Sequence, residues 1–198
     1  MAKPQFNPRT RPYGNRKVGT RPEKKRILII CGGETEKLYF DQFRPAVKPR
    51  IFAKGIAPDQ LVEWAENKRD SEKDIEAVWC VFDCDDFGRR YDEAHRLAQN
   101  KGFKVAASNP CFELWFVLHY REIHQRITTA NCQTTLKKLL KKPYEKTDSS
   151  IFFELEPNRP AATTRARQMT EKHTPKASGA VPNPGTGVHL LLEALGVR

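Results

Sequence analysis

The chain has 198 residues, 38% of them hydrophobic, and a formal net charge of +11, which fits one basic domain large enough to bury a core. No apolar run approaches the roughly 20 residues of a membrane-spanning helix, and no apolar stretch follows the early positive charges, so neither a transmembrane segment nor a secretory signal is expected. The five cysteines are odd in number and form no CxxC pair, which argues against a disulfide framework or a structural zinc site and favours a reducing cytoplasm.

In chain order, residues 1–26 hold nine Lys or Arg against the single acid Glu23, a net of +8, leaving only +3 for everything after them. Pro4, Pro8, Pro12 and Pro22, with Gly14 and Gly19, interrupt this stretch. Residues 1–25 therefore read as a disordered basic arm, suited either to contact with nucleic-acid phosphates or to solubility alone. Residues 26–198 read as one α/β domain. Its first strand is Ile27 to Cys31, and Gly32-Gly33 turn the chain into a helix from Thr35 to Arg44, with Leu38, Tyr39 and Phe43 inward. Pro45 and Pro49 mark its exit, and a short strand follows at Arg50 to Ala53. Pro58 opens a helix running to Lys68 with Leu61, Val62 and Ala65 turned inward. Ala77 to Asp83 is a nearly continuous apolar strand, as expected where both faces are covered. A helix from Tyr91 to Asn100 buries Ala94, Leu97 and Ala98, and Phe103 to Ala107 is the next strand. This alternation predicts a parallel sheet with helices on both sides.

Beyond Pro110 the pattern is helical. Phe112, Trp115, Phe116 and His119 recur at helical spacing, with His119 read as a core histidine. Asn131 to Lys142 sets Leu136, Leu139 and Leu140 against a lysine face that is solvated or tracks a nucleic-acid backbone. Pro160 to Lys172 and Thr186 to Leu195 form the last helices, Thr186 serving as a cap.

Two of the strands stop abruptly at acids: the first at Glu34 and Glu36 beyond the glycines, the second at Asp83, Asp85 and Asp86. In a parallel sheet the carboxyl ends of neighbouring strands share one crevice. Mg²⁺ takes a few carboxylate oxygens while keeping several waters, so a metal-dependent reaction on a phosphodiester is the first hypothesis. Asp83 and Asp85 can face one ion if Asp85 already lies in the turn beyond the strand. Asp86 is a further ligand or only solvates the loop. Glu113, in the first turn of its helix, completes the acidic cluster or only answers the helix dipole, and the same dipole reading applies to Glu34 and Glu36. No GxxxxGK[ST] occurs, so nucleotide hydrolysis has no support.

Four blocks resemble RloB-like proteins. The apolar strand with its Gly-rich turn, Thr35-Glu36-Lys37 and Tyr39-Phe40, followed by the Asp83-x-Asp85 strand, resembles the Toprim-type core of that family. Ser108-Asn109-Pro110-Cys111-Phe112-Glu113-Leu114-Trp115, continuing to His119, is similar to its "SNP-x-FE-x-W…H" segment. Asn183-Pro184-Gly185-Thr186-Gly187-Val188 is similar to its "NP-x-T-x-V" element. The resemblance runs from about Arg26 to Leu195. It implies a Toprim-like parallel sheet flanked by helices with a C-terminal helical extension, and a Mg²⁺- or Mn²⁺-dependent nuclease acting on DNA or RNA. It also implies a setting in bacterial restriction or anti-phage defence, beside a separate partner ATPase. One position departs from the family's "EG-x-TE": its first Glu, used for metal binding or acid–base work, is Gly32 here. Glu34 lies two residues on and Glu36 four, so either can reach back. The expected metal set is Asp83, Asp85 and Glu34, with Glu113 joining them in catalysis. The alternative is a non-catalytic Toprim-like module that binds nucleic acid or a partner ATPase.

Overall fold

A computed structural model of the protein describes residues 26–172 and 179–197. The basic arm expected at residues 1–25 lies outside the described residues. Four parallel strands, β1 (Arg26–Cys31), β2 (Arg50–Ala53), β3 (Ile75–Val81) and β4 (Lys104–Val105), form a sheet in the order β2-β1-β3-β4. Between them run α1 (Glu34–Asp41), α2 (Pro58–Ser71) and α3 (Arg89–Asn100). Side chains alternate across each strand, which splits the core in two. Ile29, Cys31, Trp79 and Val81 face α1 and the C-terminal helices, whereas Leu28, Ile30, Val78, Cys80 and Phe82 face α2 and α3. The architecture is the expected α/β one, consistent with a Toprim-like fold. The chain travels from β1 one way to β2 and then back across to β3, so the switch of direction falls between β1 and β3. Open α/β sheets bind ligands at the carboxyl ends of strands flanking such a switch.

The C-terminal helical extension comprises α4 (Glu113–Leu118), α5 (Thr129–Leu140), α6 (Ile151–Leu155), α7 (Arg159–Glu171) and α8 (Val188–Ala194), with a 3₁₀ turn at Glu156–Asn158. Every residue of α4 is buried. Its neighbour Phe112 packs edge-on against Tyr39 of α1 at 5.8 Å between ring centres, and Phe43 meets Phe152 of α6 at 5.0 Å. The first contact, with that of Tyr39 and Phe116 at 5.6 Å, ties α1 to α4, the two helices that carry Glu36 and Glu113. His119 is a core residue as expected: it is buried, Nδ1 lies 2.9 Å from the Trp115 carbonyl, and burial holds its pKa down to about 4.

Several boundaries differ from the sequence reading. Helix α1 stops at Asp41 rather than Arg44, and Phe40 is buried where Leu38 was expected. Helix α2 runs on to Ser71. Helix α6 was not anticipated, because its five residues are too few to show a period. Strand β4 covers two residues instead of five, yet its bonding continues: Ala106 N donates to Cys80 O at 2.9 Å and Ser108 N to Phe82 O at 3.0 Å. On its other edge the same segment is met by the returning chain. There β5 (Ser108–Asn109) pairs antiparallel with β6 (Gly185–Thr186), and Gly187 N donates to Ala107 O at 2.8 Å. Thr186 is thus a strand residue whose hydroxyl lies 3.0 Å from that of Ser108, and the residue that caps α8 is Gly187. The side chain of Asn183 bonds both the amide and the carbonyl of Ile127, at 2.9 and 2.8 Å. The Ser108 and Asn183 blocks therefore meet in space as a structural clasp. The five cysteines are free thiols, with Cys31 and Cys80 fully buried. Among the described residues no helix is long and apolar enough to cross a membrane.

Candidate metal centre

The first turn beyond β3 is tied to the strand beside it. Asp83 bridges to Ser108, Cys84 N donates to Ser108 O at 2.9 Å, and Asp85 N donates to Pro110 O at 2.8 Å. Asp85 adopts a positive φ of 35°, so the chain bends as soon as Asp83 is passed. The condition set from sequence is met: Asp85 lies in the turn beyond the strand. Beside it, β1 ends in Gly32-Gly33 and α1 begins. Gly33 leaves room for the Glu36 carboxylate, since a Cβ there would stand 2.8 Å from its Oε2. Glu36 is buried although it sits in the first turn of a helix.

These elements enclose a cleft of about 710 Å³ at the carboxyl ends of β1 and β3, and Glu36, Asp83, Asp85 and Glu113 all line it. Glu36 and Glu113 are buried. Asp83 accepts the Phe112 amide on Oδ2 at 3.0 Å, but its Oδ1 is shut off from solvent with no hydrogen-bond partner. Asp85 accepts the Thr129 hydroxyl at 3.0 Å, and Glu113 accepts from Gln133 Nε2 at 3.1 Å. Lys146 supplies the nearest cation, 3.8 Å from Glu113, from a side chain that is largely exposed.

Burial, and after it the crowding of acids, sets the electrostatics. Burial, followed by the charges of Glu113 and Asp85, pushes Glu36 from its ordinary 4.5 up to about 7, against the pull of its own backbone amide. Burial first, and then Glu36 and Asp85, push Asp83 well above the usual carboxylate range. Asp85 is raised more gently, by burial, with the Thr129 hydroxyl and Lys146 working the other way. Burial works against the charged form of Lys146, but the facing carboxylates prevail and raise its pKa.

All four sequence-predicted residues, Glu34, Asp83, Asp85 and Glu113, line the cleft, Glu34 from an exposed position at its rim. The acid that α1 delivers inward is Glu36. Sequence reasoning did not reach Lys146, Thr129 or Gln133. The two on α5 stand one turn apart beside its buried face of Cys132, Leu136 and Leu140, a pattern that signals a polar seam. Lys146 lies in a loop without periodicity. Thr128 caps α5 by accepting from Asn131 N at 3.2 Å. Thr128→Ala should cost about 1 kcal/mol of stability in chemical denaturation.

Among the described residues no three His, Cys, Asp or Glu side chains are already set around one metal position. The donor set nevertheless suits a hard cation such as Mg²⁺, which needs one or two carboxylates and retains its waters. The Oδ1 of Asp83, buried without a hydrogen-bond partner, is a candidate ligand atom, and burial together with the neighbouring acids disfavours charge on these carboxylates until a cation joins them. Asp83 and Glu36 would hold the ion from below, with Asp85 at the mouth.

No curated protein and no solved structure matches the chain. The family model for RloB-like proteins matches residues 27–195. That span takes in the whole sheet, the acidic cleft and the C-terminal clasp, and the chain belongs to the RloB-like protein family.

Proposed function

We propose that this protein is a divalent-cation-dependent nuclease that hydrolyses a phosphodiester of DNA or RNA, serving as an effector in bacterial anti-phage or restriction-linked defence. The observation that carries the reading is the convergence of Glu36, Asp83, Asp85 and Glu113 on one cleft at the sheet's switch point, with one buried carboxylate oxygen left without a partner. A bound Mg²⁺ or Mn²⁺ would polarise a phosphoryl oxygen and ease deprotonation of an attacking water. The chain's own residues do the rest. Asp83, fixed by the Phe112 amide, orients its free oxygen; Glu113, fixed by Gln133, keeps its carboxylate toward the cleft; Lys146 and Arg90 on the lining attract phosphate. The defence setting and a partner ATPase come from family resemblance.

A binding-only role is the second reading, and Gly32 is the observation that favours it. Where the family pattern that the chain resembles places a carboxylate, this chain has Gly32. A Cβ at Gly32 would meet Val81 O at 3.5 Å and Phe82 at 3.6 Å, ordinary contact distances, so a Cβ is accommodated there. The test is cleavage of labelled DNA and RNA across a Mg²⁺ and Mn²⁺ titration, comparing the native chain with Gly32→Glu. Weak metal-dependent cleavage is expected from the native chain. Gly32→Glu should raise it at least about tenfold by lowering the barrier some 1.4 kcal/mol, and Glu34→Gln should leave it unchanged because Glu34 stands at the rim. Absence of cleavage in both the native chain and Gly32→Glu, at every metal concentration, would favour the binding-only role.

A further inference from the structure

We infer that the groove between the edge strand β2 and helix α2 is a track for single-stranded nucleic acid leading away from the acidic cleft; this rests on the reading of the protein as one that acts on nucleic acid. Strand β2 is the sheet's outer edge, and α2, which packs over β1 and β3, begins at the cleft, where Ala57, Pro58 and Gln60 belong to the lining. One turn beyond Gln60 stands Trp64, and another turn on stands Lys68, about 12 Å from Gln60 along the helix. Phe52 of β2 meets Trp64 edge-on at 6.2 Å, so two partly exposed rings share the groove floor.

Cations flank these rings. Lys68 Nζ lies over Phe52 at 4.5 Å and over Trp64 at 5.5 Å, Arg50 lies over Phe52 at 6.0 Å, and Lys54 is exposed at the cleft end. Among the described residues neither Lys54 nor Lys68 makes an ion pair, and Arg50 alone is answered, by Glu72 at 3.1 Å. The positions three and four on either side of Trp64 are Gln60, Leu61, Asn67 and Lys68, none of them acidic. Aromatic faces bordered by positive charge bind single strands, because every base has a face to stack and every linkage a phosphate to pair. A duplex keeps its bases stacked on one another and offers only phosphates. In the free protein Lys68 covers the rings; a base stacking on Trp64 would displace its ammonium group to the adjoining phosphate.

Tryptophan fluorescence reads this directly. The chain has three tryptophans, and Trp79 and Trp115 are buried at 5% and 0% exposure, so Trp64 is the one within reach of a base. The full chain, in EDTA so that cleavage plays no part, would be titrated with short oligothymidylate and with a dA·dT duplex of equal length, while anisotropy of labelled strands reports affinity. The single strand should quench the native protein and the duplex should not. Trp64→Phe should keep its affinity but lose the quenching, and Trp64→Ala should weaken single-strand binding roughly fivefold to hundredfold while leaving duplex binding unchanged. Equal quenching by duplex and single strand would overturn the inference, as would an unchanged single-strand affinity in Trp64→Ala or no binding of either. If Trp64→Ala fails to fold, the Trp64→Phe comparison decides alone: persistent quenching there overturns the inference. The cleavage assay is separate, so failure of this groove and failure of the nuclease reading are told apart.

Discussion

Asp83→Asn is expected to lower metal-dependent cleavage by roughly 10²–10⁴-fold while making the metal-free protein more stable. Opposite effects from one substitution follow from the geometry. The Asn carbonyl can still accept the Phe112 amide that Asp83 Oδ2 accepts at 3.0 Å. Its NH₂ would then occupy the place of the orphaned Oδ1, where it can donate to the surrounding carboxylates. The charge is lost, and with it the proposed metal ligand that the Phe112 amide fixes. Removing a buried acid whose ionisation is opposed by burial and by Glu36 and Asp85 should stabilise the fold near neutral pH. Thermal denaturation in EDTA reads the stability, and cleavage in Mn²⁺ reads the activity. A variant both less stable and equally active would place Asp83 in a structural role.

Stability should also fall as pH rises through the range in which most proteins are steadiest. Glu36 is raised from 4.5 to about 7, so between those values the folded state holds a proton that the unfolded state has released. The fold then loses stability as pH increases across that window, by about 3 kcal/mol for Glu36 alone once both forms are ionised. Below about pH 4.5 this loss is absent, and above about pH 7 it is complete. Glu36→Gln should flatten the slope. Added Mg²⁺ should restore stability at pH 8 and do little at pH 5, because a cation binds the ionised cluster only. Denaturant titrations at several pH values in EDTA, repeated with Mg²⁺, measure all of this. A slope of the opposite sign in EDTA would show that the carboxylates are not crowded.

Legibility from sequence followed burial and periodicity. Strand β3 and helix α2 were readable because an unbroken apolar run and a Pro-opened amphipathic stretch each have one physical solution, burial on both faces or on one. Asp83 and Asp85 were readable for the same reason: they end the clearest strand, and a parallel sheet exposes its carboxyl ends. The choice between Glu34 and Glu36 was not readable. It depends on how α1 is rotated against the sheet, a three-dimensional fact that leaves Glu34 exposed and Glu36 buried. Thr186 misled because a threonine before an apolar run signals a cap, and only the tertiary pairing with Ser108 shows that it belongs to β6. Lys146 left no trace because a loop residue's position is set by the elements that it joins, and α6 was itself too short to detect.

The central claim is that the acidic cleft binds a divalent cation through Asp83. Calorimetric titration of Mn²⁺ into the native chain and into Asp83→Asn, at a pH where the cluster is ionised, tests it most directly. Saturable binding by the native chain that disappears in a folded Asp83→Asn variant is the expected result; no binding by the native chain, or the same binding by both, would contradict it.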